Sequence, residues 1–130
     1  MTVNIITKNS GKLLAAKKVF EKYGITVNQI DKEYPEIQAE NSLEISKYTA
    51  IQAAKKLGKS VIREDHSLFI NALGMPGPYT NYIEKKLSVK KLLEIMRNQP
   101  DRSGYFEIAT VIVIVARFFF LFYSPNLFLK

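Results

Sequence analysis

The chain has 130 residues, of which 47% are hydrophobic and 24% charged, as expected for one globular domain with an apolar core. It has no cysteine, which excludes disulfide bonds and thiolate metal sites and favours a reducing compartment, the cytoplasm. Nineteen Lys and Arg against 12 Asp and Glu give a net charge of +7, which suits polyanionic ligands, although solvated basic helix faces would give the same balance.

Strands and helices alternate along the first half of the chain. Gly24 and Gly58 stand where glycine ends a helix, and Asn41, three residues before Glu44, resembles a capping arrangement. The spacing of apolar side chains then predicts a strand over 3–7, a helix over 12–23, a strand over 25–30 and a helix over 41–57.

The second half continues the alternation. The predicted elements are strands over 60–64 and 67–73, a tight turn within 72–79, a helix beginning near Tyr79, a helix carrying Val89, Leu92, Leu93 and Met96 on one stripe, and a strand over 105–115. Strands that alternate with helices in this way predict an α/β fold with a mixed, partly parallel sheet flanked by helices.

Three consecutive charges, Arg63, Glu64 and Asp65, interrupt an otherwise apolar stretch. Burying unpaired charge is unfavourable, so such a break marks either the solvated end of a strand or a site that uses charge. Ligands of open α/β sheets gather beyond the carboxyl ends of parallel strands. We therefore expect Thr7 and Asp65 to meet at one edge of the sheet, in a functional site.

The polar loop TKNSGK lies between the first strand and the first helix. Backbone N–H groups at the start of a helix bind phosphate, and a lysine adds positive charge. The spacing of a P-loop is absent, and a simple capped turn would have the same composition. Both interpretations, anion site and capped turn, stay open at this point.

Two carboxylates are candidate ligands of a hard cation, which takes a few carboxylates and completes its shell with water and phosphate oxygens. Asp65 would lie at a strand end, whereas Glu36 lies in a loop, where a lone glutamate is usually solvated. His66 is the single histidine, so it reads as a polar neighbour of the acidic pair rather than as part of a histidine metal site.

Taken together, four stretches in order resemble the inosine/xanthosine triphosphate pyrophosphatases: TKNSGK, YPEIQ, REDHSLFINAL followed by PGPY, and RSGYFEIA. These enzymes hydrolyse deaminated purine nucleoside triphosphates to the monophosphate and pyrophosphate. The resemblance implies a two-lobed cleft fold, of which this would be the N-terminal portion. It also implies a purine nucleoside triphosphate as ligand and a homodimer, with neither a specific nucleic acid nor a membrane as partner.

The resemblance also implies a role for each matching residue. Glu36 and Asp65 would hold Mg²⁺, and Asp65 would in addition activate the attacking water. The triphosphate would be bound by His66 and by the loop, with Lys12 on the phosphates; the loop residues are Thr7, Lys8, Asn9, Ser10, Gly11 and Lys12. His66 departs from the small residue, often Ser, that the family usually has after the aspartate.

We expect the resemblance to end near residue 112, leaving 113–130 as an apolar tail that comes from a shifted reading frame or a premature end. The residues that select the purine would then be missing, and the strand over 105–115 would lack its hairpin partner and aggregate. A membrane- or partner-binding tail is the alternative. A non-enzymatic basic module that binds polyphosphate or nucleic acid is the alternative to the enzyme.

Overall fold

The computed structural model describes residues 1–35, 37–115, 117–123 and 126–127, and of residues 75–76, 117–123 and 126–127 it describes the backbone only. The strands are β1 (Thr2–Ile6), β2 (Thr26–Ile30), β3 (Val61–Ile70), β4 (Met75–Gly77), β5 (Gly104–Ile114), β6 (Arg117–Tyr123) and β7 (Asn126–Leu127). The helices are α1 (Ser10–Phe20), α2 (Ser42–Leu57), α3 (Thr80–Lys86) and α4 (Val89–Met96), with 3₁₀ turns at Glu21–Tyr23 and Asn71–Leu73.

The strands form one mixed sheet in the order β2-β1-β3-β5-β6. Strand β1 pairs in parallel with both β2 and β3, whereas β3 pairs antiparallel with β5, and β5 with β6. The short strands β4 and β7 pair with β3 and β5. The predicted mixed, partly parallel α/β sheet is therefore confirmed.

Helix α2 begins and ends where its caps predict, whereas α1 covers Ser10–Phe20 instead of the predicted 12–23. Asn41 accepts a side-chain hydrogen bond from the backbone N–H of Glu44, and α2 ends at Gly58 in the left-handed region, with φ at 60°. Gly24 is likewise left-handed after the 3₁₀ turn that follows α1. Helix α4 also forms, but only Met96 of its predicted apolar stripe is buried, and Val89 remains 74% exposed.

Helix α2 packs on one face of the sheet and α1 on the other. Small side chains of α2, Ala50 and Ala53, are completely buried against Val61 and Val111. On the opposite face, α1 contacts a smaller cluster around Ile62. The beginning of β3, at Val61 and Ile62, is therefore covered on both faces, whereas His66 further along the strand is exposed.

The two strands predicted over 60–64 and 67–73 are wrong, because β3 is one continuous strand. Each of its residues, Val61–Ile70, pairs with a residue of β5, so the three charges do not break it. On its other side, β1 ends at Ile6, which pairs with Arg63. Glu64 and Asp65 therefore lie in the middle of a strand, at the point where its neighbour on one side stops.

The expected absence of a hairpin partner for β5 is also wrong. Strand β6 pairs with it from Ile114 opposite Arg117 to Ile108 opposite Tyr123, so β5 is bonded along both edges there. Among the described strands β6, with the sequence RFFFLFY, is the outermost on this side. Any aggregation through an apolar edge would therefore involve β6. Within the described part of the chain, no helix is long and apolar enough to cross a membrane.

A buried pair of hydroxyl groups joins α2 to β3. The Oγ atoms of Ser42 and Ser67 are 2.6 Å apart, and both residues are completely buried. We expect Ser67→Ala to lower the free energy of unfolding by about 1–3 kcal/mol, because it leaves the Ser42 hydroxyl buried without a partner. Urea unfolding measures this change. The double variant Ser42→Ala/Ser67→Ala should lose less than the sum of the single variants, and strict additivity would contradict the coupling.

Candidate functional site

A cleft of about 780 Å³ opens where β1 ends and β3 continues. It is bordered by the loop after β1, by β3 and β5, and by helices α2 and α3. Among the described residues, its lining side chains are Thr7, Lys8, Asn9, Lys12, Lys32, Glu33, Tyr34, Thr49, Arg63, Asp65, His66, Thr80, Asn81, Glu84, Lys85 and Phe106. Five of these are cationic and three are carboxylates, so the lining carries a net positive charge.

The loop after β1 is both a capped turn and a wall of the cleft. Asn9 caps α1, because its side-chain oxygen accepts a hydrogen bond from the backbone N–H of Lys12 at 3.1 Å. The buried Thr7 hydroxyl accepts another from the N–H of Asn9, also at 3.1 Å. Of the six loop residues predicted to bind phosphate, Thr7, Lys8, Asn9 and Lys12 line the cleft, whereas Ser10 and Gly11 do not.

Lys12 links α1 to β3 through an ion pair. Its Nζ lies 2.9 Å from Oε1 of Glu64 and 3.3 Å from the Glu64 carbonyl oxygen. The side chains are only 16% and 25% exposed, so solvent screens this pair less than a surface pair. His66 Nδ1 lies 3.3 Å from the same Oε1 atom. The Glu64 carboxylate therefore contacts two of the predicted phosphate-binding residues, Lys12 and His66.

A second ion pair lies on the rim. Lys8 Nζ donates a hydrogen bond to Oε1 of Glu33 at 2.7 Å, and both side chains are largely exposed. This bond raises the pKa of Lys8 and lowers the pKa of Glu33. Both groups are therefore charged near neutral pH, and Lys8 offers a permanent positive charge at the entrance.

Asp65 reaches the cleft from the middle of β3. It pairs with Ala109 of β5 and lies on the same face of the strand as Arg63, about 7 Å away along the backbone. Glu36, the other predicted Mg²⁺ ligand, lies outside the described residues, so its position stays a prediction. Among the described residues, no group of three or more His, Cys, Asp and Glu side chains is assembled.

Helix α3 forms the wall of the cleft opposite the loop. Its first residue, Thr80, accepts a hydrogen bond from the N–H of Leu68 at 2.9 Å and donates one to the carbonyl of Gly77 at 2.6 Å. These bonds tie α3 to β3. The helix brings Asn81, Glu84 and Lys85 to the cleft. None of these three residues was predicted, because their approach to the cleft depends on how α3 packs.

Two buried hydroxyl groups in the cleft wall have no hydrogen-bond partner within the part of the chain that the structure describes. They are Oγ1 of Thr49, on a side chain that is 1% exposed, and the hydroxyl of Tyr34. Buried hydroxyl groups are normally hydrogen-bonded, so such groups beside a cleft indicate a place where a bound molecule or water completes the bonding. Neither residue was predicted as a site residue: Tyr34 was noted only as part of the YPEIQ stretch, and Thr49 lies within the helix predicted over 41–57.

A search against family models finds that the model of the Ham1 family matches residues 3–122. This match runs through β5 and into β6, ten residues beyond the expected end of the resemblance. The chain is 39% identical over 107 residues to the dITP/XTP pyrophosphatase of Methanopyrus kandleri and 39% identical over 110 residues to that of Methanothermobacter marburgensis. The two alignments cover 82% and 84% of this chain.

Solved structures share the fold. The Ham1 protein of Staphylococcus aureus superposes with a TM-score of 0.73 at 25% identity, covering 97% of this chain and 71% of that one. A HAM1 protein from Coxiella burnetii gives a TM-score of 0.78 at 19% identity, covering 97% and 72%. The chain spans 57% and 58% of the length of the two curated relatives.

Proposed function

The chain belongs to the Ham1 family, and from this premise we propose that it is a nucleoside triphosphate pyrophosphatase that acts on deaminated purine nucleotides such as ITP, dITP and XTP. The names of its relatives, dITP/XTP pyrophosphatases, support this class of substrate. The observation that carries the proposal is the cleft itself, where the Asp65 carboxylate faces a cationic loop that contains Lys8 and Lys12.

In the proposed reaction, water attacks the α-phosphorus, the bond from that phosphorus to the oxygen bridging to the β-phosphate breaks, and pyrophosphate leaves with that oxygen. Asp65 accepts the proton of the attacking water, which is the role of a general base. Lys8 and Lys12 bind the phosphate oxygens and offset the charge that shifts onto the leaving group. Beside these groups, the ring of Phe106 lies edge-on to His66, with 6.2 Å between the ring centres.

We propose Mg²⁺ as the cofactor, because the residues present fit a magnesium site of the kind that substrate completes. Such a site needs only one or two carboxylates, with water and substrate phosphates as the remaining ligands. Asp65 supplies one carboxylate in the cleft, and Glu36 is proposed as the second. When bound, Mg²⁺ would neutralise phosphate charge and help to orient the phosphate chain.

The direct test is to incubate the purified chain with dITP, XTP and dGTP in the presence of Mg²⁺ and to identify the products. We expect the monophosphate and pyrophosphate from dITP and XTP, and the rate with dGTP measures how far the chain selects the base. Release of orthophosphate and a nucleoside diphosphate, or no product at all, would contradict the proposal. A parallel reaction with EDTA tests the need for the metal.

A homodimer and a cytoplasmic location are further proposals that follow from the resemblance. Light scattering coupled to size-exclusion chromatography measures the first, and fractionation of cells that express the chain measures the second. A monomer at micromolar concentration would contradict the proposed dimer without affecting the proposed chemistry.

A further inference from the structure

Arg63 is a charged residue in an apolar part of the sheet. Its partner on β5, Val111, is completely buried, and so is Val61, the preceding residue on the same face of β3. On the other side it pairs with Ile6, the last residue of β1. Placing a guanidinium group here is unfavourable unless the group is solvated, paired or used. Arg63 is half-buried, and its exposed part lines the cleft.

The guanidinium group is anchored at the end of β1. Arg63 Nη1 donates a hydrogen bond to the carbonyl oxygen of Ile6 at 3.3 Å, just before the loop that begins with Thr7. A guanidinium has five N–H donors in a planar fork, so it can bond to backbone and still present donors to an anion. Arginine also remains charged at every physiological pH.

We propose that Arg63 is a phosphate-binding residue that takes oxygens of the triphosphate chain on the floor of the cleft, opposite Lys12. This inference rests on the proposed function, since it names a further residue for the same substrate. Lys12 approaches from α1 and is engaged by Glu64, whereas Arg63 approaches from the face that α2 covers. The phosphate chain would therefore be held between cations on two sides, with Asp65 two residues further along the same strand face.

The Thr49 hydroxyl, which has no hydrogen-bond partner within the described part of the chain, supports this position. Thr49 belongs to α2, which packs on the face of β3 that carries Arg63, and both residues line the cleft. A phosphate oxygen, or a water bound to it, would supply the missing hydrogen-bond partner of this buried hydroxyl. Arg63 and Thr49 therefore both bring polar groups to the side of the cleft that α2 borders.

The test is a calorimetric titration of the full chain with inorganic tripolyphosphate in the presence of Mg²⁺. We expect Arg63→Met, which keeps the apolar stem, to weaken binding about tenfold, at the lower end for a hydrogen bond to a charged group. Arg102→Met is the matched control, because Arg102 also donates to a backbone carbonyl, that of Met96 at 2.8 Å, but does not line the cleft. The control should bind within about twofold of the unmodified chain, because it leaves the charge of the cleft unchanged.

Several outcomes separate the possibilities. Unchanged tripolyphosphate affinity in a folded Arg63→Met variant would overturn the inference. An equal loss for orthophosphate and tripolyphosphate would also overturn it, because a merely structural role affects both alike. If Arg63→Met does not fold, Arg63→Lys takes its place; the ammonium keeps the charge but loses the fork, so affinity should fall about threefold, and no change would refute the inference.

Failure of this inference is distinguishable from failure of the proposed function. The unmodified chain could release no pyrophosphate from dITP and still bind tripolyphosphate in a way that depends on Arg63. That result would support the phosphate site and refute the proposed activity. If the unmodified chain is active and Arg63→Met has the same KM and the same affinity for tripolyphosphate, the proposed activity is supported and Arg63 has no role in it.

Discussion

Asp65→Asn is expected to reduce pyrophosphate release by about 10²–10⁴-fold, the usual contribution of a general base. The amide has the same shape as the carboxylate but can neither accept the proton of the attacking water nor contribute negative charge to a magnesium site. Because Asp65 lines an open cleft, the substitution should leave the fold intact. Steady-state release of pyrophosphate from dITP, together with thermal unfolding of both proteins, measures the two effects.

Asp101→Asn provides the matched control. Asp101 lies in the loop before β5, where its carboxylate accepts hydrogen bonds from the N–H and the hydroxyl of Ser103, and it does not line the cleft. Its replacement should leave turnover within about twofold of the unmodified chain, since surface substitutions have small effects. Equal activity of the Asp65 and Asp101 variants would refute the catalytic assignment and favour the non-enzymatic, polyphosphate-binding module.

Lys12→Ala should weaken binding of a nucleoside triphosphate by about 10–150-fold, which corresponds to the roughly 1.5–3 kcal/mol of a hydrogen bond to a charged group. The structure gives a reason for the upper part of this range. Lys12 neutralises Glu64 beside the cleft, at 2.9 Å. Its removal therefore takes one cation from the phosphates and also leaves a carboxylate that repels them. Calorimetry with a non-hydrolysable triphosphate analogue measures the change.

Lys17→Ala on the same helix is the control for Lys12, because Lys17 is exposed and does not line the cleft. Both variants lower the net charge of the chain by one, so a general effect of charge would appear equally in the two. A double variant, Lys12→Ala/Glu64→Gln, should recover part of the lost affinity, since it removes the repulsion. Identical affinities for the Lys12 and Lys17 variants would mean that the loop is only a capped turn.

Local signals in the sequence predicted the helices and the candidate loop. Asn41 and the glycines at 24 and 58 act within one turn of the helix that they cap, so their effect is readable from neighbouring residues alone. The loop over 7–12 was found for the same reason. Its meeting with Asp65 followed from the parallel pairing of β1 and β3, which the alternation of elements already predicted.

The missed features depend on residues that are distant in the sequence. The charges at 63–65 were read as a break because the sequence does not show that β1 ends opposite Arg63, while β5 continues to pair with β3. The buried hydroxyl of Thr49 and the approach of α3 are likewise consequences of tertiary packing. Strand β6 was missed because an apolar aromatic run has no alternation to mark it as one strand of a hairpin.

The contrast between the β5–β6 hairpin and the pairing of β1 with β3 bears on the order in which the molecule folds. Strands β5 and β6 are joined by two residues, so their pairing closes a short loop, and hairpins of this kind form in microseconds. The pairing of β1 with β3 brings Ile5 to Ile62 and must close a far longer loop, which slows its formation. The cleft lies at the end of β1, beside this pairing of β1 with β3, which forms later than the hairpin. A bound nucleotide would therefore stabilise contacts that the folding transition state lacks, and would slow unfolding rather than accelerate folding.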